Sequence, residues 1–117
     1  MKTGIELITE ERARQISREG WTALHDAVHT RGELSKAAAC YATCAAGQVQ
    51  YGFATMAQTP PLAGWPWERD WWKPADDPIR TLTKAGALIA AEIDRLQLHR
   101  QHVAAIELKP SRGLADG

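Results

Sequence analysis

The chain has 117 residues, of which 44% are hydrophobic and 24% are charged, and this is the composition of one ordinary globular domain. The 14 Lys and Arg residues balance the 14 Asp and Glu residues, so general nucleic-acid binding is disfavoured because no overall basic field attracts a phosphate backbone. No apolar run approaches the roughly 20 residues of a membrane helix, and the start of the chain lacks the apolar stretch of a signal peptide, so we expect a cytoplasmic protein.

The first predicted helix covers residues 9–19. Thr9 can cap its start, Glu10 and Glu11 suit the positive end of the helix dipole, and Gly20 supplies the left-handed residue that ends it. Its apolar stripe is thin, which predicts an amphipathic surface helix. The stripe consists of Ala13 and Ile16 with the flanking residues Ile5, Ile8 and Trp21.

The second predicted helix begins at Thr30, because Thr30 and Glu33 have the spacing of a capping box. Gly47 is its expected end. Small and apolar residues recur at helical spacing between these limits and predict a buried face that another helix can approach closely. These residues are Leu34, Ala37, Ala38, Tyr41, Cys44 and Ala45.

Cys40 and Cys44 lie four residues apart in this helix and therefore share one of its sides. We interpret them as buried small hydrophobic residues. A redox pair and a two-thiol metal site are the alternatives.

Residues 47–77 form a long irregular stretch with prolines at positions 60, 61, 66 and 74. A short extended segment is predicted for residues 49–53. The tryptophan loop, residues 65–74, holds four of the five tryptophans of the chain, which argues against disorder there. Tryptophan is a preferred anchor in cores and binding sites, so this loop is expected either to close a small core or to form the wall of a site.

The third predicted helix begins where Asp77 caps and Pro78 occupies the first helical position. It is expected to continue to about Ala105 and to end before Pro110. An apolar face follows helical spacing through Ile79, Leu82, Gly86, Ile89, Ile93 and Leu96. The opposite, wet side is expected to carry Thr81, Lys84, Glu92, Asp94 and Arg95.

These elements predict an all-α fold with three main helices and a long Trp- and Pro-rich loop between helices 2 and 3. We predict one helical domain over residues 1–108 and a flexible C-terminal tail over residues 109–117. The apolar face of the third helix and the alanine-rich second helix exceed what the thin first helix can cover. A homo-oligomer is therefore expected.

The tryptophan loop stands beside several cations in the sequence, and this combination predicts a ligand site. Aromatic faces stack on bases, while ammonium and guanidinium groups neutralise phosphates. A nucleotide-like small molecule fits this chemistry, and a host protein is the other candidate partner. The alternative is that the tryptophans only cover the small-residue faces of the second and third helices. The candidate ligand-binding residues are Trp21, His25, His29, Trp65, Trp67, Trp71, Trp72, Lys73, Arg80 and Lys84.

A metal site is a weaker hypothesis, because His25, His29 and Glu33 would share one face only if a single helix ran through all three. An all-α nucleotide pyrophosphohydrolase would hold magnesium with carboxylates, for which Glu33, Glu92 and Asp94 are available. However, Glu92 and Asp94 lie about 200° apart around a helix. We therefore predict no metal ligand, no cofactor and no catalytic residue, with the hydrolase kept as an alternative.

Several motifs resemble a family of small, largely uncharacterised phage and prophage proteins over about residues 5–97. They are Glu10-Glu-Arg-Ala-Arg-Gln-Ile-Ser-Arg-Glu-Gly-Trp-Thr22, His25-Asp26-x-x-His29, Gly32-Glu-Leu34, Ala37-Ala-Ala-Cys-Tyr-Ala42, Trp65-Pro-Trp67, Trp71-Trp-Lys-Pro74, Asp77-Pro-Ile-Arg80 and Lys84-Ala-Gly-Ala-Leu-Ile-Ala-Ala-Glu-Ile-Asp-Arg-Leu96.

The resemblance implies a phage accessory protein that works in the host cytoplasm. In relatives, Glu and Asp stand where this chain has Leu24 and Ala27, and that departure weakens the metal hypothesis further. Residues 11–34 are also similar to the start of the helical repeat domain of ryanodine receptors, a type of repeat that can bind adenine nucleotides. We therefore expect a non-catalytic binding protein, with a metal-dependent hydrolase and a structural, self-associating protein as the alternatives.

Overall fold

The structure is a computed structural model that describes residues 1–52 and 63–116, with side chains described as far as residue 107. Its described parts contain helices and no strand, which confirms the all-α prediction. The helices are α1 (Gly4–Glu19), α2 (Ala23–Asp26), α3 (Glu33–Tyr51) and α4 (Pro78–Asp116). A short 3₁₀ helix, Arg69–Trp71, lies within the tryptophan loop.

Helix α1 begins earlier than predicted. Thr3 caps it, and Glu6 completes a capping box by accepting from the Thr3 backbone N–H. Thr9, the predicted cap, lies inside the helix and donates its hydroxyl to the Ile5 carbonyl at 2.8 Å. Gly20 ends the helix in the left-handed conformation with φ 72°, as predicted.

The buried side of α1 is polar, so the predicted apolar stripe is wrong. Glu11, Arg12 and Gln15 are buried, whereas Ala13 and Ile16 are exposed. The reason is that the facing helices offer charged partners. The Arg12 guanidinium lies 3.8 Å from the Asp26 carboxylate and donates to the Trp21 carbonyl at 2.7 Å.

The α2 helix was not predicted, and it places the histidine segment. Thr22 caps it by accepting from the His25 backbone N–H at 3.1 Å. The chain then turns before α3 begins at Glu33, so the capping box expected from Thr30 is wrong. Gly32 stands at the cap with φ 77°, and the Glu33 carboxylate accepts instead from the Arg31 backbone N–H.

Helix α3 passes through Gly47 and ends at Gly52, so Gly47 does not terminate it. The extended segment predicted for residues 49–53 is wrong as far as Tyr51, which is helical, and Phe53 lies outside the described residues. Continued helix is the outcome because Gln48 is fully buried and donates to the Ala75 and Asp76 carbonyls. Those bonds fix the last turns of α3 against the chain that leads into α4.

The start of α4 follows the prediction. The Asp77 carboxylate accepts from the Ile79 N–H at 2.9 Å, and Pro78 is the first helical residue. The helix runs to Asp116, beyond the end expected before Pro110. The division between a domain over residues 1–108 and a tail over residues 109–117 stays a prediction.

The core lies between α3 and α4, with α1 and α2 packed against α4. Mostly small residues form this contact, which lets the two helix axes approach closely. Three tryptophans cover the core from outside, as expected if the loop closes it. The core residues are Leu34, Ala37, Ala38, Tyr41, Ala85, Leu88 and Ala91, and the covering residues are Trp65, Trp67 and Trp72.

Cys40 and Cys44 are buried, as predicted from their place among small residues. Burial raises the pKa of both thiols, which keeps them protonated.

The apolar face predicted for the third helix points to solvent. Ile79, Ile89 and Ile93 are exposed, whereas Thr81, Glu92 and Arg95 from the predicted wet side are buried. The smaller residues of α4 can pack closer to α3, and Arg95 donates to Glu92, so the buried charges neutralise each other. Among the described residues, no helix has the length and hydropathy that a membrane span requires.

Candidate ligand-binding cleft

A cleft of about 760 Å³ lies between α1, the α2 segment and the tryptophan loop. Eight of the ten predicted site residues line it: Trp21, His25, His29, Trp65, Trp67, Trp71, Lys73 and Lys84. Trp72 and Arg80 do not. Three separate parts of the sequence therefore meet at one concave surface.

The aromatic wall of the cleft is a packed cluster. The Trp65 ring stands edge-on to Tyr41, Trp67 and Trp72, with ring centroids 5.5, 5.4 and 4.9 Å away. Its indole N–H donates to the Glu68 carbonyl at 3.1 Å. These contacts fix the Trp65 ring before any ligand arrives, so little conformational entropy is lost on binding.

Tyr41 of α3 anchors the loop from below. Its hydroxyl accepts from the Lys73 N–H at 3.1 Å and donates to the Trp71 carbonyl at 3.4 Å. Its ring stacks on Trp72 with centroids 4.9 Å apart. Burial raises the pKa of Tyr41, so the hydroxyl keeps the proton that it donates.

Trp71 and Trp72 have different surroundings, although they are neighbours in the chain. Trp72 packs on the core and does not line the cleft, so its contact with a ligand stays a prediction. Trp71 is 55% exposed and lines the cleft. The Lys73 ammonium lies 5.6 Å from its ring centroid, within cation–π range.

A cationic corner, formed by Arg14, Lys73 and Lys84, lines the same cleft. The Lys84 ammonium donates to the Lys73 carbonyl at 2.6 Å, which holds the two lysines side by side. Burial lowers the pKa of Lys84, and the positive charge of Arg80 lowers it further. A nearby anion would therefore stabilise the charged form of Lys84.

Glu11 is the carboxylate beneath the cationic corner. It accepts from Arg14 at 2.9 Å and from Arg80 at 2.7 Å. Burial by itself would raise the pKa of Glu11, but the hydrogen bonds and charges of the two guanidiniums lower it to about 2. Arg80 is therefore engaged by Glu11 and does not line the cleft, so its predicted role as a ligand contact stays a prediction.

The histidines lie beside the aromatic wall. The His29 ring centroid is 5.4 Å from that of Trp67 and 6.3 Å from that of His25. His25 Nδ1 lies 3.1 Å from Asp26 Oδ1, and His29 Nδ1 lies 3.6 Å from Glu33 Oε2. Each imidazole thus faces a different carboxylate, and within residues 1–52 and 63–107 no three His, Cys, Asp or Glu side chains converge as metal ligands.

The carboxylates of the hydrolase hypothesis are separated in the same way. Glu92 accepts from Arg95, Asp94 lies 3.6 Å from Arg12, and Glu33 faces His29. Each carboxylate thus has a basic side chain of its own as a partner. The geometry does not favour a magnesium-dependent reaction at these residues.

Sequence reasoning missed the floor of the cleft. This floor comprises Glu11, Arg14, Gln15, Glu19, Asp26 and Tyr41. The spacing of Glu11, Arg14 and Gln15 does place them on one side of a helix. Charged residues at that spacing are ordinary on an exposed helix surface, so the pattern by itself does not indicate a site.

Comparison of this chain with protein-family models, with curated proteins and with solved structures gives no match.

Proposed function

We propose that this chain is a non-catalytic binding protein whose cleft takes a nucleotide-like small molecule. One observation carries the proposal: a tryptophan wall and a cationic corner face the same cleft of about 760 Å³. That volume is within the ~300–1,000 Å³ usual for small-molecule sites. A flat contact with a host protein would not need a concave space of this kind.

The aromatic part of the ligand would lie against Trp67 and Trp71. Both rings line the cleft, and Trp71 has more than half of its surface free to receive a base. Stacking of a base on tryptophan is worth roughly 1–3 kcal/mol. His29 beside Trp67 extends the same surface.

The anionic part would lie at the cationic corner. Arg14, Arg80 and Lys84 interact with the charge of Glu11, Lys73 lies near Lys84, and Glu19 accepts from Arg14 at 3.0 Å. A phosphate would reduce the repulsion between these cations and relieve the burial cost of the Lys84 charge. The cationic corner thus complements the negative charge of a phosphate, which a neutral aromatic molecule lacks.

The setting of this activity follows from the resemblance to phage proteins. A phage accessory factor that captures a nucleotide-like molecule in the host cytoplasm would need affinity and no turnover. The cleft suits that role because hydrogen bonds from Arg80 to Glu11 and from Lys84 to the Lys73 carbonyl already hold its walls in place.

The first experiment is a thermal-shift panel of nucleoside mono-, di- and triphosphates, dinucleotides and cyclic nucleotides, followed by calorimetry on any compound that raises the melting temperature. We expect at least one compound to stabilise the protein and to change tryptophan fluorescence. Lys84→Met should weaken its binding at least tenfold, while the matched change Lys36→Met at an exposed position of α3 should leave binding unchanged. Equal binding by both variants, or no response to any compound, would refute the proposal.

A further inference from the structure

Helix α4 carries an exposed apolar stripe on the side that faces neither α1 nor α3. Ile89 and Ile93 at its centre are 52% and 51% exposed. The stripe consists of Ile79, Leu82, Ile89, Ile93, Leu96 and Val103. These residues follow the three- and four-residue steps by which one helix packs along another, except at Gly86, which lies against the Ile8 side chain of α1.

We infer that this stripe binds the same stripe of a second copy of the chain, with the two α4 helices antiparallel. An axis between Ile89 and Ile93 places each of these residues opposite the other in the partner copy. The same register sets Ile79 opposite Val103, and Leu96 opposite Gly86, against which the Ile8 side chain of α1 packs. Leu96 would thus meet Ile8 of the partner copy, and every apolar position but one has an apolar partner.

The remaining pair is Leu82 opposite Arg100. Arginine can lay its aliphatic stem along an apolar surface and keep its guanidinium in water, so this pair closes the edge of the contact. On one side of the stripe the neighbouring positions carry no charge, since Thr83 is buried and Ala90, Gln97 and Ala104 follow it. On the other side Glu92 is buried and paired with Arg95, so no like charges face each other at the centre of the contact.

The area is sufficient for such a dimer. The exposed Ile, Leu and Val side chains of one stripe offer on the order of 500 Å² of apolar surface. Two copies would remove on the order of 1,000 Å² from water, which meets the lower limit for a specific interface.

The shape of the molecule favours the same partner. A helix of 39 residues is about 58 Å long and accounts for most of the 67 Å length of the molecule. Residues 99–107 of α4 are all exposed and project past the core. In the antiparallel arrangement this projecting part covers the Ile79 end of the partner copy.

The inference does not rest on the proposed ligand. Lys84 and Leu88 line the cleft from another side of α4, so a ligand and a second copy would occupy different surfaces. Failure of one proposal would leave the other intact.

Sedimentation velocity at micromolar concentration tests the dimer. Wild type is expected at twice the chain mass of 12.9 kDa. The double variant Ile89→Glu, Ile93→Glu should sediment as a monomer with an unchanged circular dichroism spectrum. Val28→Glu, at an exposed apolar position outside the stripe, should remain a dimer. A monomeric wild type, or a dimer that survives the double change, would overturn the inference.

Cysteine cross-linking tests the orientation and does not depend on a charged variant that could misfold. Chains with Ile89→Cys should cross-link readily to chains with Ile93→Cys, and each variant alone should cross-link poorly. Efficient cross-linking within each single variant would indicate a parallel pair and contradict the inference. The wild type is the control, because Cys40 and Cys44 are buried.

Discussion

Arg80 Nη2 donates to Glu11 Oε1 across 2.7 Å, and this contact joins α1 to the first turn of α4 across 69 residues of sequence. Arg14 donates to both oxygens of the same carboxylate, from Nε to Oε1 at 2.9 Å and from Nη2 to Oε2 at 3.0 Å. The hydrogen bond between Arg80 and Glu11 thus connects the floor of the cleft to α4. The fold, and through it the position of the cationic corner, depends on this buried charge.

Replacing Glu11 by Gln should lower stability at neutral pH by about 2 kcal/mol. The pKa of Glu11 falls from 4.5 to about 2 on folding, so its contribution is complete above pH 4.5 and is lost as the pH falls towards 2. Urea unfolding of wild type between pH 7 and pH 2 should show this loss, and Glu11→Gln should show less of it. Glu10→Gln is the control, because its pair with Lys2 is exposed and should contribute little. Equal pH dependence in wild type and both variants would contradict the prediction.

Trp71 and Trp72 should respond differently to replacement by Ala. Trp72 packs on the core and stacks on Tyr41, so its loss is expected to cost about 3–5 kcal/mol. Trp71→Ala should change stability by about 1 kcal/mol or less and abolish binding of any ligand found in the thermal-shift panel. Chemical unfolding and calorimetry on both variants give the comparison. Severe destabilisation by both changes would mean that the whole loop is core.

Tyr41→Phe should loosen the tryptophan loop while keeping the aromatic stack. The change removes the acceptor for the Lys73 N–H and the donor to the Trp71 carbonyl, at a cost of about 1–2 kcal/mol. Unfolding and quenching of tryptophan fluorescence by acrylamide would measure the effect. Tyr51→Phe, at an exposed tyrosine of the same helix, is the matched change and should be neutral. If the two variants behave alike, the hydroxyl does not anchor the loop.

Gly86 and Ile8 should be coupled. A Cβ at position 86 would lie 2.4 Å from Ile8 Cδ1, so Gly86→Ala forces the Ile8 side chain of α1 to move. In an Ile8→Ala background that contact is absent, and the higher helix propensity of alanine should then stabilise α4 by up to about 1 kcal/mol. We expect the double-mutant cycle to show a coupling of about 1 kcal/mol from unfolding curves. Additive effects would show that α1 does not pack on α4 at this glycine.

Local chemistry was readable from the sequence. Asp77 and Pro78 start α4, and Gly20 ends α1, because caps depend on the residue type and its immediate neighbours. The small-residue face of α3 was predicted because its residues recur at helical spacing. Local signals also misled where two candidate caps lay close together. Thr3 caps α1 instead of Thr9, and Gly52 caps the end of α3 instead of Gly47.

The sequence predicted most of the aromatic and cationic residues of the candidate site but not the residues of its floor. Trp67, Trp71 and Lys84 were expected to face a common ligand, and one cleft contains them. Glu11 and Arg14 could not be chosen in advance, because charged residues at helical spacing are usually solvated. Their place in the cleft depends on Arg80, which lies far away in the sequence.

The sequence by itself determined that the chain is helical, and it determined where α1 ends and α4 begins. It also showed which segment is rich in aromatic and cationic residues. These properties were readable because they depend on neighbouring residues. Tertiary structure decided which face of each helix is buried. Hydrophobic spacing indicated Ile16 in α1 and the Ile79-to-Leu96 face in α4, yet those residues are exposed and Gln15 and Thr81 are buried. The physical reason is that burial depends on what the facing helix offers. Small residues on α3 and charged partners around α1 made close packing and paired charges available on the less apolar sides.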